Sequence, residues 1–91
     1  MYYYVYILGN AEDNDLYKGF SENPIERLRQ HNEGCANYTA TKKDWQLLAL
    51  FRFEHKREAL IFEKKIKKWN RRSLDKLIAS TNNIVDEFSV Q

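Results

Sequence analysis

Tyr6, Tyr17, Arg27, His31 and Glu63 are the residues of this chain whose types and spacing could do chemistry together. Two phenols, a guanidinium, an imidazole and a carboxylate are the groups that metal-dependent phosphodiester hydrolysis requires. A water must be oriented and deprotonated, charge on the phosphoryl oxygens neutralised, and the leaving oxygen stabilised. A divalent ion on a carboxylate serves the last two needs. A guanidinium grips a nonbridging oxygen in a fixed fork. A phenol, with an ordinary pKa of about 10, is a poor base until a nearby cation lowers it.

Taken singly, none of these residues is diagnostic. Alternation puts Tyr2, Tyr4 and Tyr6 on one strand face and Tyr3 on the other, and tyrosines there are ordinary packing residues. Tyr17 fits a cross-strand partner. Arg27 and His31 share a helix face, as many solvated pairs do. Glu63 is less ordinary. Ala59 and Leu60 precede it at helical spacing and Ile66 follows by three, so it lies on or beside an apolar stripe. An unpartnered buried carboxylate costs roughly several kcal/mol. Either a cation, metal or lysine, compensates Glu63, or the helix turns it to solvent.

The elements that must position these groups follow from local pattern. Residues 2–8 are aromatic and β-branched and predict a strand. Residues 9–15 form a polar turn cluster, and Leu16 to Phe20 predicts a second strand, so the two form a hairpin. Asn23 suits a helix N-cap, Pro24 its first position, Glu26 a capping box, and Gly34 a stop after about Glu33. Residues 35–44 predict a loop. Trp45 to Phe53 is so continuously apolar that it predicts a central strand buried on both faces. Lys56 to about Trp69 predicts a helix, and Ser73 would cap a last one, Leu74 to Ala79. The expected fold is α/β in the α+β sense. It has a small three-stranded, mainly antiparallel sheet flanked by helices in the order β-β-α-β-α-α. Residues 1–79 make one domain and 80–91 a tail. Ile84, Val85, Phe88 and Val90 leave docking of that tail open.

The chain has 91 residues, 43% of them hydrophobic, enough for one core and not for two. Cys35 is the one cysteine, which excludes an intramolecular disulfide and fits a reducing compartment. No apolar run spans a bilayer, and the first residues do not read as a signal peptide. A cytoplasmic location is expected. Net charge is only +2, but Lys64, Lys65, Lys67, Lys68, Arg71 and Arg72 crowd residues 64–72, while acids collect at Glu54, Glu58, Asp86 and Glu87. That is either a solvated helix face or a phosphate-binding surface.

The order of the motifs is more specific than any one of them. Val5-Tyr6-Ile7, then Tyr17-Lys18-Gly19, then Arg27-Leu28-Arg29-Gln30-His31-Asn32, then residues 57–67 around Glu63, resemble the successive motifs of the GIY-YIG nuclease superfamily. The resemblance covers residues 2–79 and is nearest to small stand-alone members. Two positions depart from the pattern: no glycine precedes Val5, and Lys18 replaces an apolar residue. By this resemblance Tyr6 and Tyr17 border the attacking water, one as general base and one as positioner. Arg27 clamps the scissile phosphate and His31 assists by hydrogen bonding or proton relay. Glu63 holds one Mg²⁺ or Mn²⁺. Asn70 is a candidate for a late asparagine that some members use. Gly19 marks a close approach at the site.

Lys42, Lys43, Lys64, Lys67, Lys68, Arg71 and Arg72 would bind nucleic acid, with Tyr38 and Trp45 as candidates for stacking. Trp45 and Trp69 equally suit packing. The implied function is a metal-dependent endonuclease acting on DNA, structured or damaged DNA included, with a targeting protein as a further partner. The chain would work as a monomer or weak dimer, away from membranes. The alternatives are a catalytically weak nucleic-acid-binding module of the same fold and a protein-interaction domain.

Overall fold

The computed structural model describes residues 1–10, 12, 14–34, 44–80 and 82–87. Its elements are β1 (Tyr3–Asn10), β2 (Leu16–Ser21), α1 (Pro24–Asn32), β3 (Trp45–Phe53), α2 (Lys56–Ile66) and α3 (Arg71–Ile78), then a short 3-10 turn at Val85–Glu87. The β-β-α-β-α-α order agrees with the sequence reading. Both strand pairings are antiparallel, and the sheet order is β2-β1-β3.

The central strand is therefore β1, not β3 as its apolar run suggested. Ile7 pairs with Ala49 and Leu8 with Leu47, which leaves Leu48 as an inserted bulge residue. The bulge breaks the alternation of β3 and produces consecutive apolar residues without a second flanking strand. The outer edge of β3 is covered another way. Asn83 Oδ1 accepts from Leu50 N–H at 2.9 Å, and its Nδ2 donates to Leu48 O at 3.1 Å. Ile84 N–H then donates to Leu50 O at 2.8 Å. A short segment after α3 thus satisfies the edge that would otherwise be open.

The sheet has two packed faces. Val5, Ile7, Ala49 and Phe51 meet Ala59 and Ile66 of α2 and Leu74 of α3. On the other face Tyr6, Leu8, Trp45 and Leu50 meet Leu28 of α1, with Ile84 and Val85 from the segment after α3. Alternation along β1 sends Tyr4, Tyr6 and Leu8 to the second face and Tyr3, Val5 and Ile7 to the first.

The helix boundaries follow their caps. Asn23 Oδ1 accepts from Glu26 N–H at 3.3 Å, and Pro24 opens α1. The reciprocal half of the expected capping box is not made. Ser21 Oγ accepts the Asn23 N–H at 2.9 Å, and the Glu26 carboxylate pairs with Arg29. Gly34, at φ 79°, stops α1 by the left-handed turn glycine favours. α2 ends at Ile66, before the expected Trp69. α3 starts at Arg71 because Asn70, not Ser73, is its cap, its Oδ1 accepting Ser73 N–H at 2.9 Å.

Candidate active site

The central strand delivers Tyr6 to the middle of the α1 face, where the residue is 1% exposed. Its pairing partner in β2 is Gly19. A Cβ at Gly19 would lie 2.5 Å from Tyr6 Cζ, so the missing side chain is what lets the phenol ring cross β2. The close approach expected at Gly19 is made by a ring rather than by backbone. Tyr17, two residues earlier, shares this face and pairs with Leu8.

α1 closes the site from above. His31 is fully buried, and its Nε2 lies 3.0 Å from Tyr6 Oη. The three rings form a cluster. Centroid separations are 4.8 Å for Tyr17–His31, 5.9 Å for Tyr6–His31 and 6.3 Å for Tyr6–Tyr17. Arg27, one turn before His31, donates from Nη1 to Gln30 Oε1 at 2.9 Å and lies half-buried beside the phenol. Asn32, a residue to which sequence reasoning gave no role, ties the end of α1 to the start of β3. Its Oδ1 accepts Trp45 N–H at 2.7 Å, and its Nδ2 donates to Trp45 O at 3.0 Å.

Electrostatics join Glu63 to this group. Burial, the largest cause, pushes the Tyr6 phenol up to about 12. The neighbouring Arg27 guanidinium opposes that shift, while Tyr17 and the Glu63 carboxylate add to it. Burial first, and the Arg27 charge second, hold His31 below the ordinary imidazole value. At neutral pH, therefore, Tyr6 is a phenol and His31 a neutral imidazole, a pair that can pass a proton along one hydrogen bond. Glu63 sits on the flank of α2, its side chain 17% exposed, with Oε2 3.2 Å from Lys67 Nζ. The compensating cation here is a lysine of the same helix.

The donor set can be tested against the implied ion. Among the described residues no three His, Cys, Asp or Glu side chains cluster. One carboxylate is too few for zinc, which takes three or four protein ligands. It suits Mg²⁺ or Mn²⁺ bound with most of its waters retained.

The basic residues expected to touch nucleic acid divide. Lys64 stands exposed on α2, Lys68 in the turn after it, and Arg72 in the first turn of α3. Lys67 is engaged with Glu63. Arg71 is largely structural, its Nη1 donating to Asn14 O at 2.6 Å and its Nε to Asp75 Oδ1 at 3.1 Å. Asn70 serves as a helix cap. Trp45 is buried in the core, and Trp69 packs half-buried against the α2–α3 face. Lys42, Lys43, Tyr38 and Cys35 lie outside the described residues.

A three-stranded antiparallel sheet packed between helices defines an α+β fold that proteins of a known family share. A model of the GIY-YIG catalytic domain matches residues 2–77, and the chain belongs to that nuclease family. A UPF0213 protein of Clostridium perfringens is 42% identical over 78 residues, covering 85% of this chain and 83% of its own. A UPF0213 protein of Halalkalibacterium halodurans is 32% identical over 80 residues, 87% of this chain and 84% of its own. The solution NMR structure of a UPF0213 protein from Bacillus halodurans superposes with a TM-score of 0.59 at 30% identity, covering 93% of this chain and 90% of that one. No helix among the described residues is long and apolar enough to cross a membrane.

Proposed function

We propose that this chain is a divalent-metal-dependent endonuclease that hydrolyses phosphodiester bonds in DNA. The observation that carries the reading is the bond of 3.0 Å between Tyr6 Oη and His31 Nε2, with Tyr17, Arg27 and Glu63 grouped around it. Nuclease-family membership narrows the substrate to nucleic acid.

Tyr6 is the general base and His31 its proton acceptor. As the attacking water gives a proton to Tyr6 Oη, the phenol's own proton passes to neutral His31 Nε2. The hydroxide oxygen bonds to phosphorus, the ester oxygen leaves, and solvent supplies its proton. Tyr17, half-buried against His31, orients the water. Arg27 grips a nonbridging oxygen and holds the phosphate in line. Glu63 would hold one Mg²⁺ or Mn²⁺, which would supply charge neutralisation for the departing oxygen. Residues 1–79 constitute the catalytic module and 80–91 a tail, of which Asn83 and Ile84 cover the β3 edge. The protein acts in the cytoplasm, where a partner protein directs it to structured or damaged DNA.

The test is cleavage of labelled single-stranded, duplex, nicked and branched DNAs with Mg²⁺ or Mn²⁺, set against EDTA and E63A. Cutting that needs the metal and disappears in a folded E63A protein supports the reading. A second reading, a binding module with faded catalysis, is favoured by one observation: Tyr6 is 1% exposed and its pKa stands at about 12. Salt-sensitive binding without cutting on any of these DNAs would select it.

A further inference from the structure

Lys67 follows the last residue of α2 and faces two ways. Its ammonium lies 3.2 Å from Glu63 Oε2, yet its side chain is 52% exposed. The same residue lines, with Leu16, Tyr17 and Lys18, an open groove of about 340 Å³ along β2. Among the described residues β2 has β1 on one side and no strand on the other, so this groove follows an edge of the described sheet. Lys18 pairs with Ile7 and so lies on the sheet face opposite Tyr17; the groove wraps the edge between them. Lys18 forms no ion pair among the described residues. Two ammonium groups thus border a channel that begins at Tyr17 and at the carboxylate partner Lys67 now holds.

A Glu–Lys pair one helical turn apart, with its lysine half-exposed, is weak enough for the ammonium to be displaced. A divalent cation on Glu63 would repel the ammonium and compete for the same oxygen. Lysine carries its charge on a long flexible stem and can be re-aimed without moving the helix. The groove that Lys67 and Lys18 both line is then open to the released ammonium.

We propose that Lys67 is a two-position residue: the counter-ion of Glu63 in the metal-free protein, and, once a divalent ion takes Glu63, half of a seat with Lys18 for a backbone phosphate next to the scissile one. This rests on the metal-dependent reading above and extends it to the path of the substrate, a nucleic-acid strand running along the β2 edge. Metal and substrate then favour each other, because each selects the Lys67 position that the other needs, and the coupling is reciprocal.

The test uses the full chain without nucleic acid, titrated with Mn²⁺ and followed by the EPR signal of the free ion. K67M and K67Q should bind Mn²⁺ about three- to tenfold more tightly than the parent, and K67R like the parent. Duplex binding in Ca²⁺ is the second readout. K67M and K18M should each weaken it and lower the slope of log affinity against log salt by about 1. Unchanged or weaker Mn²⁺ binding in both K67M and K67Q overturns the counter-ion position, and an unchanged salt slope in K67M overturns the phosphate position. If E63Q binds Mn²⁺ as the parent does, the metal reading itself falls, an outcome distinct from either of these.

Discussion

The Tyr6 hydroxyl is fixed from two sides, by His31 Nε2 at 3.0 Å and by a ring position that only Gly19 leaves open. Y6F keeps the ring and removes the proton path. Cleavage should fall at least about 100-fold, and loss of the buried bond should cost about 1–3 kcal/mol, as single-turnover rates and thermal melts would measure. G19A adds a Cβ into Tyr6 Cζ and should cost about 1–3 kcal/mol as well as activity. A fully stable, active G19A protein would remove this packing argument. His31 sets the pH dependence. Burial holds its folded pKa below the ordinary 6.5, so between the two values the unfolded chain binds more protons. Stability therefore rises with pH through that window. The contribution is complete above pH 6.5 and is lost as pH falls through the folded value. Melting temperatures from pH 7.5 downward should drop in the parent and less steeply in H31Q, and the acid limb of cleavage should lie below 6.5. The candidate set Tyr6, Tyr17, Arg27, His31 and Glu63 was drawn from the sequence by the order of its motifs and their resemblance to a family, not by any one residue. The bond from Tyr6 to a residue 25 positions away was not legible there.

At the scale of elements, the caps were readable because they are local: Asn23, Pro24 and Gly34 bound α1 as the pattern requires. The position of β3 in the sheet was not. Leu48 bulges out of register, and one inserted residue is enough to make an edge strand look like a buried central one. What protects that edge is Asn83, which bonds Leu50 N–H, Leu48 O and Ile78 O and also accepts Val85 N–H at 3.0 Å. N83A leaves these groups without partners and should destabilise the domain by about 1–3 kcal/mol. For a domain of this size that lowers the melting temperature by about 4–8 °C per kcal/mol. Hydrogen exchange at the Leu50 amide should quicken at the same time, and an unchanged rate would assign edge protection elsewhere. Helix ends showed the same division. Asn70 rather than Ser73 caps α3, because a cap is chosen by which side chain the preceding turn aims at the free amides.

The whole molecule carries a net charge of only +2, so nucleic-acid binding must depend on where the charges stand. Lys64 projects from α2 and Lys68 from the turn after it, whereas Arg71 braces the β1–β2 turn. The double variant K64A/K68A should weaken DNA binding and reduce its salt slope by up to about 2, while R71A should act on thermal stability more than on affinity. Equal loss of affinity in both would show that Arg71 also meets phosphate. The sequence by itself determined the order of elements and the family, and it proposed a set of reactive side chains. Each of these depends on spacing along the chain and on local backbone preference. The tertiary structure alone decided the strand order, the covering of β3 by Asn83, the burial that keeps Tyr6 and His31 neutral, and the choice of Lys67 as the partner of Glu63. These depend on which distant segments meet and which solvent they exclude. A hydrogen bond or a desolvated charge across 25 or 35 residues leaves no periodic trace in the chain that makes it.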